Sequence, residues 1–252
     1  MLANTFDEVD DAYSIADAAS MTLQDGDWNV GIWTRVDDNS GTLFQYLISN
    51  GTLAAVNTFN MFLSEDTEAV NPDKWAVSTT DGDGTATGTI RPATATGADS
   101  KWRLLIFQRN TGAAAGQEFE LWFCEEGQPA TLEATASDAG FNAVNGSTWY
   151  IARRADGNVD RYYGGHAAWF FKGDFAWTQT EIDAMGDGLP PFTAAKLAGQ
   201  TLDVCIKLHE SAATLPDITG NGNTATRIGA PVVAAFEPLV CSPVKRRRLD
   251  DG

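Results

Sequence analysis

Trp28-Asn29-Val30-Gly31-Ile32-Trp33-Thr34-Arg35-Val36 alternates with a period of two. Trp28, Val30, Ile32, Thr34 and Val36 share one face of an extended chain, and Asn29, Gly31, Trp33 and Arg35 share the other. The pattern predicts a half-buried β-strand. Working outward, short runs at residues 43–49, 59–64, 75–79 and 85–90 alternate with turn signals such as Asn50-Gly51 and Asp81-Gly82-Asp83-Gly84. Residues 102–109, 118–124, 131–135, 149–154 and 167–171 continue the series. About ten short strands precede the first helix signal.

That signal is Thr178-Gln179-Thr180-Glu181, a capping box in which the Thr hydroxyl accepts from the Glu amide while the Glu side chain reaches back. Ile182 and Met185 supply an apolar stripe, and Gly186, Gly188 and Pro190-Pro191 end it. Residues 189–201 read as a linker and 204–208 as a further strand, with no internal repeat. The expectation is an all-β fold, a two-sheet antiparallel jelly-roll sandwich over residues 1–235 with one short helix near 178–186. A Pro-containing, basic-ended tail occupies 236–252.

The chain of 252 residues carries 17 Lys+Arg against 34 Asp+Glu, a net charge of -17. With 43% hydrophobic residues, including 13 Phe, 8 Trp and 5 Tyr, it can build a core, which excludes intrinsic disorder. Its acidity repels phosphate backbones and anionic lipid, so the body is not expected to bind nucleic acid or to insert in a membrane. Lys245, Arg246, Arg247 and Arg248 form a separate basic cluster. Without residues 245–252 the balance is 13 basic to 32 acidic, a body charge of -19.

No apolar run approaches the roughly 20 residues that span a bilayer. Met1-Leu2-Ala3-Asn4-Thr5-Phe6-Asp7 has neither the basic nor the apolar region of a secretory signal, so synthesis inside the cell is expected. Cys124, Cys205 and Cys241 are widely spaced, which argues against a disulfide framework or a zinc site.

Three segments together resemble the laminin-G-like branch of the concanavalin A-like lectin/glucanase superfamily. The first is Phe6-Asp7-Glu8-Val9-Asp10-Asp11-Ala12-Tyr13-Ser14-Ile15, similar to the family's opening "FDGxDDYVxI". The second is Lys101-Trp102-Arg103-Leu104-Leu105-Ile106 with the hairpin at 118–127, whose Leu121-Trp122-Phe123-Cys124-Glu125-Glu126-Gly127 lacks the usual Asp-Gly turn. The third runs from Tyr163-Gly164-Gly165 through Trp169 and Phe171 into residues 178–185. Asp217-Ile218-Thr219-Gly220-Asn221-Gly222-Asn223 looks like the family's "DxSGNGN" loop, although here it follows the helix. The resemblance covers residues 4–232 and implies a two-sheet jelly roll. Relatives include sugar binders, protein-binding modules and virion proteins, so fold does not settle function.

Glucanase relatives place alternating carboxylates on one strand. Glu181-Ile182-Asp183 matches only in part and lies on the capped helix, while Glu118 and Glu120 alternate without a third acid and read as a solvated edge. His166 and His209 have no nucleophile elbow beside them. No catalytic residue is assigned. No cofactor is required, and calcium is the cation the loops could hold: Asp10 and Asp11 with Asp217 and Asn221 could offer oxygens to a rim ion, or could serve as Asx-turns. Trp33 and Trp122 fall on the strand faces opposite their apolar neighbours, where each could be an exposed platform for a sugar or could pack under a loop or a partner.

A lectin-like sandwich expected to be made inside the cell suits a tailed-bacteriophage virion protein. It would act as a non-enzymatic capsid decoration, fibre or tail-associated component, located in the virion. Its partners would be other virion proteins, copies of itself and surface glycans, with Lys245, Arg246, Arg247 and Arg248 as an assembly arm. The alternative is a stand-alone carbohydrate-binding module, with an endoglucanase a distant third.

Overall fold

The computed structural model describes residues 2–7, 10–37, 44–50, 58–64, 73–80, 86–92, 99–139, 141, 144, 147–155, 162–210 and 212–235. Among the described residues two antiparallel sheets of eight strands each stack face to face, as the alternation of the sequence predicts. The first sheet is centred on the quoted stretch, β3 (Trp28–Arg35), preceded in the chain by β1 (Leu2–Asp7) and β2 (Ala12–Ile15). Sheet two contains β2 together with β4 (Gln45–Asn50), β5 (Thr58–Leu63), β6 (Trp75–Thr80) and β7 (Ala86–Ile90). The chain then returns to the first sheet as β8 (Arg103–Arg109), β9 (Phe119–Glu125) and β10 (Thr131–Ala136), and crosses back as β11 (Trp149–Ile151). β12 (Gly164–Gly173) pairs with β3 on one side and with β1 on the other.

Beyond β12 come α1 (Gln179–Gly186), α2 (Pro191–Leu197), β13 (Leu202–Lys207), β14 (Thr214–Leu215), β15 (Ala225–Ile228) and β16 (Val232–Ala235). The strand order is β10-β9-β8-β3-β12-β1-β16, with β13 also on β12, and β14-β15-β2-β11-β4-β5-β6-β7 in the second sheet. Helix α2 lies inside the expected linker. Pro191 at its first turn and Gly199 just past its end, at φ 73°, are the signals that mark it. No helix among the described residues is long and apolar enough to cross a membrane.

The faces of the sheets are sorted by the period-two alternation. Trp28, Val30 and Ile32 of β3 enter the core between the sheets, where Trp28 meets Phe107, Phe119 and Phe141 with ring centroids 5.6, 5.9 and 5.8 Å away. The other face of β3 is also buried. Trp33 joins Leu104, Ile106, Trp122 and Phe171 in a second core, roofed by Ile182 and Met185 of α1 and by Ala194 and Ala195 of α2. A tryptophan buries about 150–250 Å², which at ~25 cal/mol per Å² is roughly 4–6 kcal/mol of gross transfer free energy and an upper bound. The strand expected to be half-buried is therefore buried on both sides.

Helix α1 forms as the sequence predicts. Glu181 N donates to Thr178 Oγ1 at 3.4 Å and Thr178 N donates to Glu181 Oε2 at 2.7 Å. Its far side is fastened to the β9–β10 hairpin, where Ala130 N donates to Asp183 Oδ1 at 2.6 Å and Gln179 Nε2 donates to Ala130 O at 3.0 Å. Both carboxylates of the Glu181–Asp183 pair are used in holding the helix.

Candidate functional site

The outer face of the second sheet carries a line of polar side chains that crosses every strand. Thr214 of β14 pairs with Thr226 of β15, Thr226 with Ser14 of β2, and Ser14 with Tyr150 of β11. Tyr150 pairs with Ser49 of β4, Ser49 with Asn60 of β5, Asn60 with Ser78 of β6, and Ser78 with Thr89 of β7. Directly paired residues share a face. It is the outer one, because Ile15, Trp149, Ile48, Phe59, Met61, Val77 and Ile90, their neighbours in the chain or one register step away, all lie in the core between the sheets. At about 4.8 Å per strand the line is roughly 34 Å long.

Thr214, Thr226 and Thr89 at the ends of the line are exposed, whereas Ser49 and Asn60 near its middle are buried. Ser49 Oγ donates to Arg153 O at 2.8 Å. Among the described residues neither the Oδ1 nor the Nδ2 of Asn60 has a partner, and the same holds for Thr58 Oγ1 and Ser78 Oγ on the same face. A buried polar atom without a partner costs about 1–3 kcal/mol. Beside the line runs a short aromatic row, Tyr46 on Phe62, stacked at 5.3 Å and 26°. Arg153 lies over both Tyr150 and Tyr162, its guanidinium carbon 4.7 and 5.6 Å from their ring centroids. The accessible part of this face offers hydroxyl hydrogen bonds together with aromatic and cationic contacts.

Trp33 and Trp122, expected as exposed sugar platforms, are 2% and 9% exposed and belong to the second core. The period of two placed them correctly on the face opposite Trp28, but helices α1 and α2 cover that face. Glu120 is likewise no solvated edge. It is 7% exposed and accepts from Gln108 Nε2 at 2.7 Å, Trp122 Nε1 at 2.8 Å and Asn110 Nδ2 at 3.0 Å. Glu118 is half-buried, and the Gly116 amide on its carboxylate holds its pKa below the usual range.

The four residues expected to share a rim cation do not come together. Asp217 is filled by five donors: Cys205 N and Thr219 N on Oδ1, and Thr219 Oγ1, Asn223 N and Asn223 Nδ2 on Oδ2. Asn221 Nδ2 donates to Asp203 O at 2.9 Å, so this loop ties β13 to the edge of the second sheet. Asp10 and Asp11 sit at the opposite end of β15, about 10 Å along the strand, where Ala230 N donates to Asp11 Oδ1 at 2.7 Å. There they meet Asp7, a residue the sequence reading did not single out as a ligand. One carboxylate oxygen from each of the three falls within 4.8 Å of the others. Burial, and then the charges of Asp7 and Asp10, push Asp11 above the usual carboxylate range, although the Ala230 amide opposes this. The trio could hold a hard cation.

Thr5 Oγ1, His166 Nδ1, His166 Nε2 and Asp37 Oδ2 form a chain of two 3.0 Å contacts. Burial lowers the His166 pKa more than Asp37 raises it, and Arg35 Nε holds Asp37 at 2.6 Å. The imidazole is therefore neutral near neutral pH and bridges β1, β12 and the end of β3. His209 packs edge-on against Trp169 at 5.1 Å, and burial, then Lys207, pull its pKa down to about 4. Residues 245–248 of the expected arm, Cys241 and the Asp81–Asp83 turn lie outside the described residues.

The fold has relatives of known structure. A putative carbohydrate binding protein from Bacteroides ovatus superposes with a TM-score of 0.57 at 13% identity, covering 94% of this chain and 60% of its own. This chain thus spans about three fifths of that protein. The LG1-3 region of the laminin alpha2 chain gives a TM-score of 0.47 at 14% identity over 68% of this chain and 30% of that one. Tailspike protein 2 of an Escherichia coli bacteriophage gives 0.46 at 12% identity over 69% and 24%. No protein-family model matches the sequence, and no curated protein matches it. At 13% identity the likeness to the Bacteroides ovatus protein is one of fold alone.

Proposed function

We propose that the protein is a non-enzymatic glycan-binding sandwich that holds a linear saccharide across the outer face of its second sheet. The observation that carries this reading is the run of accessible hydroxyl and phenol side chains Thr214, Thr226, Ser14 and Tyr150 on four adjacent strands, which ends at the buried Ser49. Its rise of about 4.8 Å per strand is close to the length of one pyranose in an extended chain. The Tyr150 ring and the Arg153 guanidinium over it add aromatic and cationic contact to these hydroxyls, the mixture that sugars use. The fold-level likeness to a putative carbohydrate binding protein supports the same reading.

Affinity electrophoresis against a panel of neutral and acidic polysaccharides tests it. Retention of the native chain is expected. Tyr150→Ala, confirmed folded by circular dichroism, should weaken binding about tenfold, the scale of one lost aromatic contact. Retention by none of the panel, or retention indifferent to Tyr150→Ala, would overturn the proposal.

The charge polarity of the chain favours a second reading, in which this adhesive module serves a tailed-bacteriophage virion. A -19 body and a basic cluster at Lys245–Arg248 suit contacts between copies or with other virion proteins. In that setting calcium on Asp7, Asp10 and Asp11 would be an accessory ion that steadies the β1–β2 turn.

A further inference from the structure

Resting on the glycan-binding reading, we propose that the saccharide bears a carboxylate and that Arg153 is the residue that receives it. In a chain with twice as many acidic as basic residues, Arg35, Arg103 and Arg109 each pair with a carboxylate, of Asp37, Asp99 and Asp138 respectively. No carboxylate among the described residues pairs with Arg153. Its Nε donates to Arg154 O at 3.3 Å, and neither terminal nitrogen has a hydrogen-bond partner among the described residues; the side chain is half-buried. The rings of Tyr150 and Tyr162 hold the guanidinium, and such a clamp fixes the plane of the fork that binds a carboxylate with two parallel hydrogen bonds.

Two further observations place this fork on the saccharide path. Tyr150 is itself a member of the polar line, and Arg153 O accepts from Ser49 Oγ, the next member. Ala152, the residue that turns the chain out of β11, is held at φ 70°. A left-handed conformation is strained for an L-residue with a Cβ, and strain of this kind gathers at active sites and ligand clamps. The acidic body opposes any dense polyanion. The ligand is accordingly a chain in which a carboxylated sugar, a uronic acid or a similar residue, occupies the Arg153 position and neutral hydroxyls follow the rest of the line.

Titration calorimetry with otherwise neutral oligosaccharides bearing a single galacturonate, glucuronate or sialic acid residue, each beside its carboxyl-reduced form, tests the assignment. The native chain should prefer at least one acidic form over its reduced counterpart by about tenfold, and rising salt should narrow the gap. Arg153→Gln should bring the affinities for the acidic and reduced forms to within about twofold of each other, the acidic form losing far more than the reduced one, and Arg153→Lys should restore only part of the preference, since an ammonium lacks the fork. Equal binding of acidic and reduced forms, or an acidic preference that survives Arg153→Gln, overturns the carboxylate assignment and leaves the glycan reading standing. Binding of neither form by a folded chain removes both.

Discussion

Asp11 is buried at the turn between β1 and β2, and its carboxyl lies above the usual range, first through burial and then through Asp7 and Asp10. A raised folded-state pKa means that the fold prefers the protonated form. The favourable contribution is complete below the ordinary value of 3.8 and is lost as pH rises through the folded value, so near neutral pH the ionised group is a cost. Asp11→Asn keeps an oxygen for the Ala230 amide and removes the charge. It should stabilise the protein near neutral pH by a few tenths to about 1 kcal/mol, with the gain fading in acid. Calcium should raise the Tm of the native chain and not of the variant. Calorimetry with and without calcium decides both points, and a variant that melts lower near neutral pH would contradict the charge argument. The adjacent Asp10 and Asp11 were legible in the sequence as a pair. Asp217 misled because composition cannot show that its oxygens are already filled by neighbouring amides and a hydroxyl. Trp33 and Trp122 misled for a different reason: alternation tells which face a side chain takes, but not what lies on that face.

At the scale of elements, what covers that face is α1 with α2. The capping box announced α1 to the residue, because its chemistry is local and needs only Thr178 and Glu181 three positions apart. Helix α2 falls where the sequence predicts a linker, since its Ala-rich stripe is short and two prolines precede it like a break, although Pro191 is the first helical residue. The second core follows from these two helices and could not be read from β3 alone. Thr178→Ala removes the acceptor for the Glu181 amide and should destabilise by about 1 kcal/mol. Because α1 is bonded to the β9–β10 hairpin at Ala130 and Gly127, its fraying should also speed amide exchange there. Thr178→Ser should behave as the native chain. Exchange at Ala130 that is unchanged in Thr178→Ala would show that the helix is held by its apolar face and not by its cap.

For the whole molecule, the two-sheet architecture was written in the spacing of short alternating runs, while the polar line was not. Ser14, Ser49, Asn60, Ser78 and Thr89 are unremarkable one at a time, and only the pairing register of separate strands sets them in a row. Register depends on contacts far apart in sequence, so no local pattern announces it. Net charge is the opposite case, fully legible and global. The body carries -19, and the four basic residues at 245–248 stand apart in the sequence. Opposite charges so arranged attract between copies when the screening length is long, and it shrinks from about 30 Å at 0.01 M salt to about 8 Å at 0.15 M. Sedimentation velocity of the full chain should therefore show association at low salt that dissolves as salt rises, and a chain ending at residue 241 should sediment as one small species throughout. The truncated body, relieved of its cationic partner and still strongly acidic, has every electrostatic reason to stay apart. If full and truncated chains sediment alike at both salts, the basic cluster is not an assembly arm, and the virion reading loses the feature that favours it.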